Sequence, residues 1–381
     1  MRIAVFSDTF FPQINGVSRV LEKYLEYMDE KDIEYSLFVP DKQESVYNGD
    51  IIPLGGVKFV LYPEMKIVLP RYLKIKHVLD TFKPDLIHVA TPFAMGLMGI
   101  KYARARQLPL ISSYHTNFDQ YLNYYHLPLL VRPVNKYVKW FHSFSQLNFC
   151  PSHETLLQLQ ELGIRNLEVC PNGVDQAFFS PDFRNAQTRQ SLFAGEERPI
   201  LLYVGRIAPE KGLDVLIKAV QTLNAEGASF KLILVGDGPS REKLESMGID
   251  NVLFLGYKSG RELQEIYASA DLFVFPSATE TFGNVILEAM CSGLPVVAAR
   301  AGGVKDNVID RYNGITFQPG DHLDMARAIN MLLLDKTMHS QFVSNAVEYA
   351  MTKTWEGIFD QFFGRLQNLL PKSKNGESYV A

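Results

Sequence analysis

The fold of this chain is decided by the stretch Glu280-Thr281-Phe282-Gly283-Asn284-Val285-Ile286-Leu287-Glu288. The apolar run Leu272–Phe275 comes just before it and predicts a buried strand, which Pro276 closes. From Asn284 onward the spacing is helical, so the stretch joins a strand to the N-terminus of a helix. Such a junction presents free backbone N–H groups and a partial positive charge. It therefore suits an anionic or polyhydroxyl ligand.

The two glutamates that bound this stretch are candidate ligands for sugar hydroxyls. A carboxylate can accept two hydroxyl protons, as vicinal hydroxyls require. The alternative is a surface helix whose acidic residues face water. We favour a binding site because the loop follows a strand, at the edge where open α/β sheets bind ligands. Gly283 would also let a ligand approach the backbone closely.

Length and composition predict a two-domain globular protein. The chain has 381 residues, 47% of them hydrophobic and 21% charged. The net charge of −4 argues against a nucleic-acid partner. Three cysteines without zinc-finger spacing (Cys150, Cys170 and Cys291) fit a reduced protein. Since neither a signal peptide nor a run of about 18 apolar residues is seen, we expect a cytoplasmic protein.

Apolar strands alternate with amphipathic helices along the chain, which predicts two parallel sheets with right-handed crossovers. In the first series the predicted strands are 2–7, 35–39, 58–61, 86–89, 110–114, 147–150 and 167–170. The predicted helices there are a stripe from Val17 to Met28, then 70–82, 94–106, 129–144 and 153–162. In the second series the predicted strands are 200–204, 231–235, 252–255, 272–275, 295–298 and 314–317. No G-x-G-x-x-G is present, which weakens a dehydrogenase interpretation.

The domain boundary is predicted within residues 171–183, which are rich in Pro, Gly, Asn and Asp and suggest a linker. We therefore expect one domain at 1–172 and a second at 173–353. The apolar helix at 354–370 is expected to pack on a domain, with a crossing back to the first as one arrangement. Residues 372–381 are expected to be disordered.

Several strand-to-helix loops carry candidate binding residues. Asn15 and Gly16 could deliver a backbone N–H to a phosphate, or could form an ordinary turn. His115 follows a strand, where it is either structural or part of a site. Arg206 and Lys211 would meet the phosphates of a ligand, although solvated loop charges are the alternative. The loops that contain Gly236 and Tyr257 would line the same edge and touch a nucleoside.

These motifs together resemble the retaining glycosyltransferases of family 4, which have the GT-B fold. The motifs that carry the resemblance are Gly205-Arg206, Glu210-Lys211-Gly212, 270–277, Glu280 with Glu288, and 293–298. Residues 8–17, with Asp8 to Pro12 and Asn15-Gly16-Val17, resemble GDP-mannose-dependent mannosyltransferases and related glycolipid glycosyltransferases.

The resemblance implies two Rossmann-like domains facing across a cleft, with the acceptor on the first and the nucleotide sugar on the second. Arg206 and Lys211 would bind the diphosphate, and Glu288 the ribose hydroxyls. Glu280 would hold the donor sugar. Further contacts to the donor are implied for the backbone of Phe282, Gly283, Asn284 and Val285. From the opposite domain, Gly16, which follows Asn15, would approach the diphosphate. His115 would lie near the transferred sugar. No metal is expected, because no Asp-x-Asp pair occurs in the sequence.

The activity implied is transfer of a hexose, mannose or glucose, from GDP-mannose or a UDP-hexose to a lipid or small-molecule acceptor, without a cofactor. A phosphate oxygen of the leaving group would serve as the base. The alternatives are a hydrolysing nucleotide-sugar epimerase and a non-catalytic nucleotide-sugar binder. The epimerase would release nucleoside diphosphate without any acceptor.

Two segments of the first domain suggest an anionic membrane surface as a further partner, on the inner face of the cell membrane. Residues 120–153 contain no Asp or Glu but interleave cations with aromatic side chains, and residues 65–78 have a similar pattern. The residues concerned are Lys66, Arg71, Lys74, Lys76, Arg132, Lys136 and Lys139, among Tyr121, Tyr124, Tyr125, Tyr137, Trp140, Phe141 and Phe144. The alternative is that the aromatic side chains belong to the core.

Overall fold

The computed structural model describes residues 1–11, 13, 15–41, 47–59, 62–67, 71–117, 122, 127–192 and 198–370, with the backbone alone for 57–59 and 62–67. The chain divides into two compact units. The first contains the described residues of 1–119, 129–171 and 356–381, and the second those of 120–128 and 172–355.

The first unit is built on a parallel sheet. Its strands are β1 (Arg2–Phe6), β2 (Glu34–Val39), β3 (Asp50–Pro53), β6 (Leu86–Val89), β7 (Leu110–Ser113), β8 (Leu147–Cys150) and β9 (Leu167–Val169). They lie in the order β3-β2-β1-β6-β7-β8-β9. Helices of this unit are α1 (Gly16–Glu30), α2 (Tyr72–Phe82), α3 (Ala94–Arg106), α4 (Val131–His142) and α5 (His153–Glu161). The chain order reverses between β1 and β6, so a crevice for a ligand is expected at their carboxyl ends.

One predicted strand of the first series was misplaced. Residues 57–59 form β4 (Val57–Phe59), which pairs antiparallel with β5 (Tyr62–Ile67) and does not join the parallel sheet. The edge strand β3 was missed, because Asp50–Pro53 is short and polar at its start. It pairs in parallel with β2.

The second unit repeats the architecture. Its strands are β10 (Ile200–Val204), β11 (Lys231–Val235), β12 (Val252–Gly256), β13 (Leu272–Phe275), β14 (Val296–Ala299) and β15 (Gly314–Phe317). The helices are α6 (Ala186–Leu192), α7 (Leu213–Ala225), α8 (Arg241–Glu245), α9 (Gly260–Ser269), α10 (Asn284–Cys291), α11 (Val304–Asn307), α12 (His322–Leu334) and α13 (Lys336–Met351). The order β12-β11-β10-β13-β14-β15 reverses between β10 and β13. Their carboxyl ends therefore define the ligand edge of this unit.

The predicted linker is packed rather than loose. Val174 bridges in parallel to Thr354, and Phe179 is buried in the core of the second unit. The final helix, α14 (Trp355–Gln367), packs its aromatic face on the first unit. Phe363 stacks on Tyr24 with ring centroids 5.5 Å apart. The predicted disordered tail, residues 372–381, lies outside the described residues.

In the part of the chain that the structure describes, no helix is both long and apolar enough to cross a membrane.

Candidate active site at the edge of the second sheet

The loops that follow β10 and β13 touch each other at the ligand edge. Gly212 has a φ of 67° and ends the turn Pro209–Lys211. A side chain there would collide with the backbone, since a Cβ would lie 2.8 Å from the carbonyl oxygen of Pro276. Thr279 Oγ1 donates to the carbonyl oxygen of Glu210 at 3.2 Å. The two loops therefore form one surface.

An ion pair joins these loops. Lys211 Nζ lies 2.6 Å from Glu280 Oε1, and the same oxygen accepts a hydrogen bond from Ser277 Oγ at 3.0 Å. The side chains of Lys211 and Glu280 are only 15% and 17% exposed. A cation and a carboxylate thus lie side by side at the strand-order reversal.

Arg206 lies in the same loop as Lys211. Its carbonyl oxygen accepts a hydrogen bond at 2.9 Å from the hydroxyl of Tyr203, a fully buried residue of β10. The loop is thus tied to the strand beneath it, and the Arg206 side chain is half-buried.

The helix α10 begins as the sequence predicted. Gly283 is its N-cap with a φ of 83°, a left-handed conformation that favours glycine. Asn284 Oδ1 accepts from Asn172 Nδ2 at 2.7 Å. One turn later, Glu288 is 7% exposed and its Oε2 accepts from the Tyr267 hydroxyl at 2.9 Å. Asn284 and Glu288 are thus each held by a side chain from another segment.

The other predicted residues of the second unit differ in how far they are buried. Phe282 is buried, and its carbonyl oxygen accepts from Asn307 Nδ2 at 2.8 Å, while Val285 is half-buried. Gly236 is required by packing, because a Cβ would lie 1.9 Å from the Gly205 carbonyl oxygen. Tyr257 directly follows β12, and 54% of its surface is exposed.

Sequence reasoning missed the support beneath the Glu280 loop. Gly302 and Gly303 follow β14 and pack under residues 280–282. A Cβ on Gly302 would lie 2.4 Å from the Glu280 carbonyl oxygen, and one on Gly303 would lie 2.1 Å from that of Thr281. The Gly303 N–H donates to the Glu280 carbonyl oxygen at 2.8 Å. A glycine pair after a predicted strand was the available signal.

The first unit presents Asn15 and Gly16 at the start of α1. Asn15 caps the helix reciprocally with Ser18. Its Nδ2 also donates to Thr9 Oγ1 at 2.7 Å. A Cβ on Gly16 would have nothing within 4 Å, so packing within the described chain does not require this glycine. Pro12 and Ile14 of the same motif lie outside the described residues.

Asp8, named from the sequence only as the first residue of the motif at 8–17, is a buried carboxyl group. Its Oδ1 accepts from the Met95 backbone N–H at 3.0 Å and its Oδ2 from Thr91 Oγ1 at 2.8 Å. It thereby joins the loop after β1 to the start of α3. Burial raises the pKa of Asp8 to about 6, against the opposing effect of these hydrogen bonds.

His115 follows β7 and is half-buried. Burial is the larger cause that lowers the pKa of His115 to about 4, and electrostatic repulsion by a protonated His142 is the smaller one. His142 and His88 are buried too, and their pKa values fall to about 4 and about 3. His115 is therefore a neutral imidazole at neutral pH, able to donate one hydrogen bond and accept another.

The described side chains contain no group of three or more His, Cys, Asp or Glu arranged to hold a metal ion. The second unit instead offers an arginine and a lysine in one loop, and a helix N-terminus at the next. Such groups can stabilise negative charge that develops on a departing phosphate. Glu280 and Glu288 can accept hydroxyl protons.

Comparison with known proteins identifies the class. The model of the glycosyl transferases group 1 family matches residues 185–349, and that of Glycosyltransferase Family 4 matches residues 14–178. A GDP-mannose-dependent alpha-mannosyltransferase of Corynebacterium glutamicum is 31% identical over 98% of this chain and 90% of its own. An alpha-monoglucosyldiacylglycerol synthase of Streptococcus pneumoniae is 29% identical over 86% of this chain and 77% of its own.

The fold has solved counterparts. Sucrose-phosphate synthase of Thermosynechococcus elongatus superimposes with a TM-score of 0.80 at 21% identity, over 97% of this chain and 98% of that one. The two parallel-sheet units are those of a GT-B glycosyltransferase, which confirms the predicted fold class. The chain belongs to glycosyltransferase family 4 and is a hexosyltransferase that uses a nucleotide sugar.

Proposed function

We propose that this enzyme transfers mannose or glucose from a nucleoside diphosphate sugar to a lipid or sugar acceptor, with retention of anomeric configuration. GDP-mannose is the first donor to test, because the Corynebacterium relative is GDP-mannose-dependent. A diacylglycerol glycolipid is the first acceptor class, because the Streptococcus relative is a glucosyldiacylglycerol synthase. The observation that carries the proposal is the Lys211–Glu280 pair at the strand-order reversal.

The roles of the side chains follow from where charge develops. Breaking the anomeric C–O bond puts positive charge on the sugar ring and negative charge on the departing diphosphate. Arg206, Lys211 and the N-terminus of α10 would stabilise the diphosphate. Glu280 would hold sugar hydroxyls, and Glu288 the ribose hydroxyls. For the first unit, Gly16 is proposed as a phosphate contact and His115 as a sugar contact.

The acceptor would attack the face that the diphosphate leaves, with a phosphate oxygen taking the acceptor proton. The C–O bond to the diphosphate breaks, the C–O bond to the acceptor forms, and the proton leaves with the diphosphate. This route needs no protein nucleophile and no divalent ion. Enzymes of this class usually need no metal, and the two cations supply the required positive charge.

A membrane surface is proposed as the place of reaction. Helix α2 carries two Lys or Arg residues, and helices α3 and α4 carry three each. Asp80 is the only acidic residue in these three helices. Lys101 on α3 lies over the Tyr72 ring at 4.1 Å, and Arg104 lies over the Phe144 ring at 5.0 Å. These contacts join α3 to α2 and to the segment that follows α4. A basic surface of this kind suits anionic headgroups.

The aromatic side chains of the predicted membrane segments divide between core and surface. Phe141 is fully buried, and the Tyr137 hydroxyl donates a hydrogen bond to the Pro92 carbonyl oxygen. Trp140 is 49% exposed, and the apolar side chains Leu73 and Leu129 are 79% and 91% exposed. These three support insertion at the headgroup level. Tyr121, Tyr124, Tyr125 and the side chains of residues 65–70 lie outside the described residues.

The test is incubation of the purified protein with GDP-mannose, UDP-glucose and other nucleotide sugars, with and without diacylglycerol glycolipid and sugar acceptors. We expect an α-linked product that requires the acceptor. Release of nucleoside diphosphate at full rate without acceptor would indicate the hydrolysing epimerase instead. Tight binding without turnover of any donor would indicate a non-catalytic binder.

A further inference from the structure

The side chain of Tyr267 contacts a predicted substrate residue from within the core of the second unit. Tyr267 is fully buried in α9. Its ring packs edge-on against Phe179, with centroids 5.4 Å apart, and lies 6.0 Å from the Phe273 ring. Both neighbours are themselves buried, so the ring has little freedom to turn. The hydroxyl is thereby held at a fixed position, 2.9 Å from Glu288 Oε2.

This contact sets the direction of the Glu288 carboxylate. The Tyr267 hydroxyl donates to Oε2, so the protein itself holds one side of the group. A carboxylate has about four acceptor sites and can take hydroxyl donors of a ligand in addition to the one from Tyr267. Glu288 has several rotatable bonds, and the hydrogen bond fixes its rotamer before any ligand arrives. A preorganised acceptor binds with a smaller loss of conformational entropy.

We propose that Tyr267 is a positioning residue that orients Glu288 for the ribose of the donor. The inference rests on the proposed function, in which Glu288 accepts the ribose hydroxyls. A ribose contact persists from the bound donor to the transition state, so its loss weakens binding without slowing turnover at saturation. Tyr267 therefore governs nucleotide affinity and not the rate of sugar transfer.

The test is a double-mutant cycle on Tyr267→Phe and Glu288→Gln. Affinity is measured by calorimetry with GDP and UDP, using whichever the wild type binds more tightly, and KM and kcat are measured for the donor. Tyr267→Phe removes one oxygen from a packed ring, so the core keeps its shape. We expect about threefold to tenfold weaker nucleotide binding, because the ligand must then order the Glu288 side chain itself. KM should rise by the same factor, and kcat should stay within about twofold.

The coupling separates orientation from a general loss of stability. In the Glu288→Gln background, Tyr267→Phe should weaken binding by less than about threefold, because the carboxylate it orients is gone. Tyr349→Phe is the matched control: it removes a hydroxyl that donates to the Asp306 carbonyl oxygen at 2.7 Å in the same unit. It should leave nucleotide affinity unchanged.

Two results would overturn the inference alone: normal affinity in Tyr267→Phe beside weak binding in Glu288→Gln, or fully additive effects in the double variant. Normal affinity in Glu288→Gln, or no binding of either nucleotide by the wild type, would overturn the ribose assignment and the inference with it.

Discussion

Lys211 and Glu280 neutralise each other across the two loops at the ligand edge, with Lys211 Nζ 2.6 Å from Glu280 Oε1. Their predicted partners are different parts of one donor, the diphosphate and the sugar. Binding of the donor as proposed would exchange this internal ion pair for two ligand contacts. Because both side chains are largely buried, removal of either leaves a charge without its counter-charge. Variants at this pair must be checked for folding before their kinetics are interpreted.

The first prediction concerns the diphosphate. Arg206→Ala and Lys211→Ala should each slow turnover by on the order of 100- to 1000-fold, or about 2.7–4 kcal/mol, because each removes a charge that stabilises the leaving group. Turnover is measured at saturating donor, and circular dichroism checks the fold. Lys243→Ala, which changes an exposed cation of the same unit, is the control. Near-normal turnover in both variants would refute the assignment.

The second prediction separates the two glutamates. Glu288→Gln should chiefly weaken binding of the free nucleoside diphosphate, since a ribose contact exists in the ground state. Glu280→Gln should lower kcat more than nucleotide affinity, because it contacts the sugar whose charge changes. Calorimetry with the nucleoside diphosphate and steady-state kinetics distinguish the effects. Equal losses of nucleotide affinity in the two variants would mean that the roles are wrong.

The third prediction concerns metal ions. Activity should survive excess EDTA, because Arg206, Lys211 and the α10 N-terminus can balance the diphosphate charge. The assay is product formation before and after chelation, with dialysis against EDTA as a stringent form. Complete loss that magnesium or manganese restores would contradict the proposal.

The fourth prediction concerns the membrane surface. Wild-type protein should float with vesicles that contain anionic lipid, and binding should weaken as salt rises. Replacement of Lys74, Lys76, Arg132 and Lys136 by Ser should remove about 1 kcal/mol of attraction for each cation near the surface. Neutral vesicles and a Trp140→Ser variant separate the charge contribution from insertion. If wild-type protein stays unbound at low salt, a water-soluble acceptor becomes the better candidate.

The fifth prediction uses the buried carboxyl group of Asp8, whose folded pKa of about 6 exceeds the 3.8 of an exposed aspartate. The folded state holds this proton more tightly than the unfolded state. The contribution of Asp8 to the free energy of unfolding is therefore largest below about pH 4. It falls by about 3 kcal/mol in total as the pH rises through about 6. Asp8→Asn has no such dependence.

The measurement is the free energy of unfolding of wild type minus that of Asp8→Asn between about pH 4 and pH 8. The lowered pKa values of His88, His115 and His142 have the opposite sign, since they favour the fold as the pH rises towards about 6.5. Both proteins share those histidines, so their effect cancels in the difference. A difference that does not change with pH would show that Asp8 is not buried as described.

The sequence predicted the second sheet closely because its strands are continuous apolar runs. All six predicted strands of that sheet lie within one residue of the observed ones. Residues 57–67 were harder, since their partner is local and antiparallel, and periodicity does not specify pairing. Tyr267 gave no signal either: a tyrosine on a helix suggests core packing, and only the fold brings it to Glu288, 21 residues away. Asp8 and Met95 meet across 87 residues for the same reason.

The return of α14 to the first unit has a consequence for biosynthesis. Tyr24, near the start of the chain, is covered by Phe359, Phe362 and Phe363, near its end. The ribosome makes these phenylalanines only after the whole second unit. During synthesis, the side of the first unit around Tyr24 therefore stays exposed until they emerge. Emergence of α14 from the ribosome is then the event that completes the first unit. Aggregation of nascent chains should be greatest for polypeptides stalled before residue 355.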